Sequence, residues 1–449
     1  MLRLALAVLL LVQGAGCATT GKPAAAAYTH HFETLPSGMR VLVYGQPAAR
    51  GASLYVSYRV GAADEPPGQE GLAQLTQLLT FMARPEGPES PRLGERLSVI
   101  GAVFLPALDY DETAFFAQSA PLQLQRLLEL EAQRMREPLA EVTEADFLEA
   151  REHYLATLRS HARAHLAADM LRRDLLPGHP YGRPLAGTEA ALARLTLEDA
   201  RAWARTHFTP DRAVLVVTSA LPPVDVARVV TASFGALAAG PAAAPVPRTP
   251  LPLPELALPG RLVVRQVDVD GPQLWLAWRA PGRYSGQYAE TIVLGENLRT
   301  LIFPALVQAA PRPLLRRSSM GAWDMDGVTL LYATIELERA EDAEKVLAAL
   351  NAQMARFWGT VVANITAEAL QKQVVAKATQ TAELLPPSAV ANYLRATGRA
   401  DFPIAWPQQR RDTLLHDLRT AAKAHAFPNR TYGLLLTPRS ARPAGAAGR

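Results

Sequence analysis

A chain of 449 residues exceeds what one compact core accommodates and suits two domains or more. Hydrophobic residues make up 49% and charged residues 20%, an ordinary globular balance. The net charge of +4 rests mostly on arginines dispersed along the chain, often beside acids as in Glu131-Ala132-Gln133-Arg134. No basic stripe interleaves with aromatics, so no nucleic-acid partner is expected.

Met1-Leu2-Arg3 makes a short positive start, residues 4–12 are apolar, and Gln13-Gly14-Ala15-Gly16 leads to Cys17. Residues 1–17 read as a secretory signal peptide, too short to span a bilayer. Cys17 is the only cysteine. Its place after Ala-Gly at the end of an apolar run resembles the bacterial lipoprotein signal, in which that Cys is lipidated, although Gly14 stands where the pattern prefers leucine. The alternative is ordinary signal cleavage nearby. Either way no thiol is left for disulfides, metal binding or nucleophilic chemistry. No later segment is long and apolar enough for a transmembrane helix.

Residues 18–27 read as a flexible tether. Turn residues at 35–39 precede a strand at 40–44, and 52–60 is a second strand with alternating polarity. The pattern predicts helices over 71–82, 122–135, 144–166 and 197–207. Thr196 is the expected N-cap of the last, with Glu198 and Asp199 in its first turn where the helix dipole favours acids. Residues 213–217 read as a buried strand. The Ala/Pro-rich stretch 238–256 reads as an interdomain linker. Beyond it, strands are expected at 261–267, 273–278, 330–337 and 432–436, and helices at 288–307, 340–357 and 367–384. The two parts share one plan, so the fold class is α+β: an N-terminal domain over 28–237 and a similar one over 257–438, each a mixed sheet covered by helices, with a disordered tail at 439–449.

Val60-Gly61-Ala62-Ala63-Asp64-Glu65-Pro66-Pro67-Gly68-Gln69-Glu70-Gly71-Leu72-Ala73 runs into the helix at 71–82. This block resembles the signature region of the pitrilysin/insulinase zinc metallopeptidases, which include the mitochondrial processing peptidases. There a Gly-rich, acidic approach leads to an inverted zinc motif, His-x-x-Glu-His, on a helix. His179-Pro180-Tyr181-Gly182-Arg183-Pro184-Leu185-Ala186-Gly187-Thr188-Glu189 and His207-Phe208-Thr209-Pro210-Asp211-Arg212-Ala213 are similar to the stretch after the family's metal-binding helices. Gly101-Ala102-Val103-Phe104 followed by Asp111-Glu112-Thr113 is similar to its edge-strand region. The resemblance covers roughly residues 28–438 and implies two clam-like halves that enclose peptide segments, usually as strands added to a sheet edge.

In the family two His and one Glu hold zinc, and a further Glu takes the proton of the bound water. The resemblance maps the first His to Gln74, the general base to Gln77, the second His to Leu78 and the distal Glu to Thr157, with the supporting acid at Ala150. Leu78 has no donor atom, Gln74 offers a neutral oxygen where imidazole is wanted, Gln77 cannot accept a proton near neutral pH, and Thr157 supplies no carboxylate. The substrate-binding Asn maps to Leu105. The Gly-rich turn of the second half maps to 303–311, with Val307 near its Arg and Leu314 near its Tyr. The expectation is therefore a family member without zinc or other cofactor and without the standard chemistry.

His161 and His165 sit at i, i+4 on a helix, with His153 and Glu149 two and three turns earlier, a spacing able to hold a metal; a solvent-facing helix side is the simpler account. His30-His31 opens a strand without a third ligand nearby. Asp109-Tyr110-Asp111-Glu112 is an acidic cluster with cation-binding chemistry, explained more simply by a turn at a strand end. The expected role is binding or assembly: an exported, lipid-anchored homologue in the periplasm or outer membrane that partners an active zinc peptidase, as in heterodimeric relatives, or that holds unfolded peptide segments. The alternatives are a metallopeptidase with non-standard ligands from the His153/His161/His165 helix, and a purely structural envelope lipoprotein.

Overall fold

The computed structural model describes residues 29–47, 49–240, 262–283, 315–352, 385–405 and 431–439, with a few isolated helical positions besides. The signal and tether segments, the linker from 241, the expected helix at 288–307 apart from the helical position 295, the 303–314 turn region and the tail from 440 lie outside the described residues.

The first sheet contains β1 (His30–Thr34), β2 (Arg40–Gly45), β3 (Ala52–Tyr58), β4 (Val103–Leu108), β5 (Thr113–Ser119) and β6 (Ala213–Ser219) in the order β1-β2-β6-β3-β5-β4. The second contains β7 (Val263–Val267), β8 (Gln273–Pro281), β9 (Leu315–Asp324), β10 (Val328–Leu337) and β11 (Tyr432–Pro438) in the order β7-β11-β8-β10-β9. Leaving out β1, the two sheets are the same: one parallel pair (β2 with β6, β7 with β11), then antiparallel neighbours to the edge. The repeat inferred from the element order is thus a repeat of topology.

The longer helices of the first half are α1 (Leu72–Leu79), α2 (Leu93–Val99), α3 (Leu124–Arg136), α4 (Glu144–Leu175), α5 (Leu197–His207) and α6 (Pro223–Phe234), and the second half adds α7 (Pro387–Thr397). Side chains alternate across the strands, so each sheet has two apolar faces to cover. On one face of the first sheet Val41, Val43, Leu54, Val56, Leu215 and Val217 pack against the helices of their own half. On the other, Leu42, Tyr44, Tyr55, Val214 and Val216 pack against Val390, Ala391, Tyr393 and Leu394 of α7, which belongs to the second half. The second sheet mirrors this. Leu274, Leu276, Leu331, Ala333 and Ile335 pack on Ala343, Val346 and Leu350, while Val267, Leu330, Leu434 and Leu436 pack on Ala167, Leu171 and Leu175 of α4. Each half lends one helix to the other, so the linker separates the sheets but not the cores.

This exchange accounts for the departures from the expected elements. β3 shows no alternation because it is buried on both faces between β6 and β5. α4 runs to Leu175 rather than ending near 166: residues 156–165 are exposed apart from the half-buried Leu158, which interrupts the apolar period, and the helix then resumes an apolar face against the other sheet. β9 and α7 had no predicted counterpart. The stretch from 340 is helical as far as it is described, to 352, and the described positions 368, 372, 376 and 380 are helical as expected.

Candidate functional site

The signature block folds as a loop feeding α1. Gly61 lies so close to the β4–β5 turn that a Cβ there would stand 2.4 Å from the Asp109 carbonyl oxygen. The backbone N–H groups of Ala62 and Ala63 donate to Asp109 and Tyr110, each at 3.0 Å. Gly71, the residue before α1, has φ +103 and supplies no capping side chain. Glu65 does so instead: its carboxylate accepts from the N–H of Gly71 at 3.1 Å and of Ala73 at 2.8 Å. Burial raises the Glu65 carboxyl to about 8, against the pull of those two N–H groups. The second block closes over this loop. Gly187 approaches Glu70 so closely that a Cβ would meet its carbonyl oxygen at 2.3 Å. Arg183 donates to the Glu65 carbonyl at 2.8 Å, and the Tyr154 hydroxyl of α4 donates to the Ala186 carbonyl at 2.7 Å.

On α1 the three mapped positions diverge. Gln77 is fully buried, and its Nε2 donates to the carbonyls of Ala107 at 3.1 Å and Ala114 at 2.7 Å. Those residues face each other across β4 and β5, so the amide pins the helix to the edge of the sheet. Gln74 donates to Gln77 Oε1 at 3.1 Å. Leu78 is partly buried against the first core. The side chains at this point are two amides and an isobutyl group, with no imidazole or carboxylate among them, a donor set that does not suit zinc.

Thr157 takes no part in these hydrogen bonds. It is exposed, in the solvated stretch of α4, with its hydroxyl donating to the His153 carbonyl at 3.0 Å. The α4 side chains buried in the first core are Phe147, Ala150 and Tyr154; Tyr154, bonded at Ala186, ties α4 to the segment that closes over the approach to α1, a contact sequence reasoning missed. His161 and His165 do come together on the exposed stretch, with ring centroids 6.1 Å apart and His161 Nδ1 3.0 Å from the Thr157 carbonyl. Glu149 is engaged by Arg92 at 2.8 Å. His31 lies 3.7 Å from Glu33. Among the described residues no group of three or more His, Cys, Asp or Glu is placed to hold a metal, and no helix is long and apolar enough to cross a membrane.

The acidic cluster at the β4–β5 turn has partners from the other half. Asp111 accepts from the Tyr181 hydroxyl and from the backbone N–H of Asp326, both at 2.7 Å. Arg283 lies 3.3 Å from Asp109, and the buried Arg395 of α7 donates to the Asp111 carbonyl at 3.2 Å and lies 3.7 Å from Asp326. Glu112, pushed up by burial, accepts from Ser57. The cations at this cluster are arginines, and it joins the halves. Alongside it, β4 is an edge strand: it pairs with β5, and among the described residues no strand pairs with its other side. Val103 and Leu105 on it are each 56% exposed.

A glycine-rich loop entering a helix beneath the edge strands of one sheet, and a long helix crossing to an equivalent second sheet, define a two-half peptidase fold of clam-like design. The family comparisons agree. The model described as "Insulinase (Peptidase family M16)" matches residues 40–189, and "Peptidase M16 inactive domain" matches 194–374. An uncharacterized zinc protease of Mycobacterium leprae is 23% identical over 330 residues, 72% of this chain and 73% of that one. Coenzyme PQQ synthesis protein F of Pseudomonas aeruginosa is 32% identical over 167 residues, 36% of this chain but 21% of that protein. Among solved structures, a protease from Helicobacter pylori aligns with TM-score 0.73 at 19% identity, covering 92% of this chain and all of that one, and pitrilysin with TM-score 0.72 at 15% identity, covering 93% of this chain and 46% of that one. The chain belongs to the insulinase/pitrilysin family of peptidases, M16.

Proposed function

We propose that this protein is a non-catalytic M16 homologue of the bacterial cell envelope that binds extended peptide segments, alone or as the partner of an active zinc peptidase. The observation that carries the reading is Gln77. At the position where the family's mechanism needs a proton acceptor, a buried amide uses both of its N–H donors to hold two strand carbonyls. A carboxylate there would face the same two oxygens without a proton to give. Gln74 and Leu78 add nothing that would hold zinc, so no hydrolytic step is assigned to this point. The open edge of β4, with Val103 and Leu105 exposed, supports the peptide-binding part, because an added strand gains main-chain hydrogen bonds there and side-chain contacts on alternate residues. The lipid anchor at Cys17 and the envelope location rest on the signal-like N-terminus.

Zinc content of the purified mature protein after dialysis, beside cleavage and binding assays on one unfolded peptide, tests this. Binding without zinc and without cleavage supports the reading. One equivalent of zinc with turnover would sink it. Leu105→Asp on the exposed face of β4 should reduce peptide binding about tenfold, measured by fluorescence anisotropy, while stability stays within about 0.5 kcal/mol.

A further inference from the structure

We infer that the end of the first sheet at which the chain enters the fold is a membrane-docking surface, with apolar loop tips that sit in the headgroup layer of the bilayer holding the Cys17 lipid. The inference rests on the reading of Cys17 as a lipid anchor given above. Strand pairing fixes what lies at that end. β1 starts opposite the end of β2, β2 and β6 finish together at Gly45 and Ser219, and β3 starts opposite Ser119, the last residue of β5. Three connections therefore leave the sheet side by side: 46–51 between β2 and β3, 120–123 between β5 and α3, and 220–222 between β6 and α6. They touch one another. The Gln46 N–H donates to the Ser219 carbonyl at 2.8 Å, and a Cβ on Gly51 would stand 2.9 Å from the Ser119 carbonyl oxygen. The chain arrives at the same place. The Gly45 N–H donates to the Thr29 carbonyl at 3.0 Å, and a Cβ on Gly45 would stand 2.9 Å from the Thr29 hydroxyl and 3.5 Å from the Pro223 ring.

The composition of these connections is a second, independent observation. Turn tips ordinarily carry Gly, Asn, Asp and Ser. Here they read Gln46-Pro47-Ala48-Ala49-Arg50-Gly51, Ala120-Pro121-Leu122-Gln123 and Ala220-Leu221-Pro222, with Pro223-Val224 opening α6. Leu122 is 97% exposed, Leu221 46% and Val224 52%. Arg50 is the one charged residue among them; it is exposed and makes no ion pair among the described residues. Single exposed leucines are ordinary, but several on adjoining tips with one cation suit a lipid interface: Leu and Val leave water, and the guanidinium meets anionic headgroups. The point of entry selects the bilayer as the occupant. From Cys17 to Thr29 the chain reaches about 40 Å at most, so an acylated Cys17 keeps this end beside the membrane, where a weak apolar contact suffices. The lipid holds the protein to the bilayer, and the loops set which way it faces.

The mature full-length chain carrying Leu122→Cys, labelled with a nitrobenzoxadiazole dye and reconstituted in vesicles of phosphatidylethanolamine with phosphatidylglycerol, tests this. An acylated Cys17 offers no competing thiol, and the intact mass of the mature chain reports the lipid separately. The Leu122 label should show blue-shifted emission that doxyl-labelled lipid quenches. A label at Thr34→Cys, exposed at the opposite end of β1, should show neither. Adding Leu221→Asp and Val224→Asp should abolish the shift and the quenching without lowering the melting temperature, because both side chains are exposed. An acylated chain whose Leu122 label stays in water would overturn the inference and leave the anchor standing. A mature chain without the acyl mass would overturn both. A blue shift that doxyl lipid does not quench would mean that protein covers the loops, and would overturn the inference as well.

Discussion

The amide of Gln77 donates to Ala107 and Ala114 at the point where α1 meets the edge of the sheet. Gln77→Glu keeps the shape and removes the donors. The new carboxyl must stay protonated and can then serve only one of the two carbonyls, so the change should cost about 2 kcal/mol in urea unfolding at pH 6, and more as the pH rises. A variant as stable as the parent at pH 8 would mean that the two bonds contribute nothing. Glu65 gives a second prediction. Its folded carboxyl titrates near 8, above its unfolded value, so the stability it contributes is fully present below about pH 4.5 and is lost as the pH rises through 8. Glu112, also raised by burial, acts in the same direction. Glu65→Gln should therefore flatten, without abolishing, the fall in melting temperature between pH 5 and pH 8; an unchanged slope would remove Glu65 from the account.

Among the elements, α7 joins the halves most closely. It covers the first sheet with Val390, Ala391, Tyr393 and Leu394, ends at Gly398 with φ +71, and carries the buried Arg395 into the acidic turn between β4 and β5. Arg395→Met removes the donor to the Asp111 carbonyl and the cation beside Asp326 and leaves an apolar side chain at this buried turn, and should destabilise the protein by about 3 kcal/mol. Near-neutral unfolding would show that the turn is satisfied without it. This helix was invisible in the sequence because its apolar face matches strands that all lie far before it in the chain, β6 ending at Ser219 and β2 and β3 before residue 60, and nothing local marks those partners. α5, by contrast, was legible to the residue: Thr196 bonds the Asp199 N–H at 3.2 Å and the acids of the first turn declare the start. The candidate site divides in the same way. Gln74, Gln77 and Leu78 were located by their place in a motif on one short helix. The α4 position rested on a count along a 32-residue helix, which reaches Thr157, a residue exposed in the structure. Glu65 was quoted within its block without a role, since a cap contributed from six residues upstream has no sequence signature.

At the scale of the whole molecule, the repeat of two sheets with one strand order is combined with an exchange of helices. α4 places Ala167, Leu171 and Leu175 in the second half's core and crosses the intervening solvent as an exposed stretch, steadied by Arg163, whose guanidinium lies 2.7 Å from Asp270 and 3.1 Å from the Asp268 carbonyl. Arg265 and the Tyr432 hydroxyl each reach Asp174 near its end, at 2.7 Å. Among the described residues, neither half buries both faces of its sheet from its own side chains alone. Residues 28–240 or 262–438 produced alone should give aggregated or partly unfolded material, and produced together from two reading frames they should co-purify as one folded complex with the circular dichroism of the intact chain. Two stable, independent fragments would contradict the exchange.

The swapped helices also bear on what covalent continuity does here. A break anywhere between 240 and 262 removes none of the described contacts that hold α4 to the second sheet or α7 to the first. A nicked molecule is expected to migrate as two bands in denaturing gels and elute as one species otherwise. The peptide connection then acts as a matchmaker, raising the effective concentration of one half near the other during folding. Once the two helices have been traded, the clasp is made of side chains.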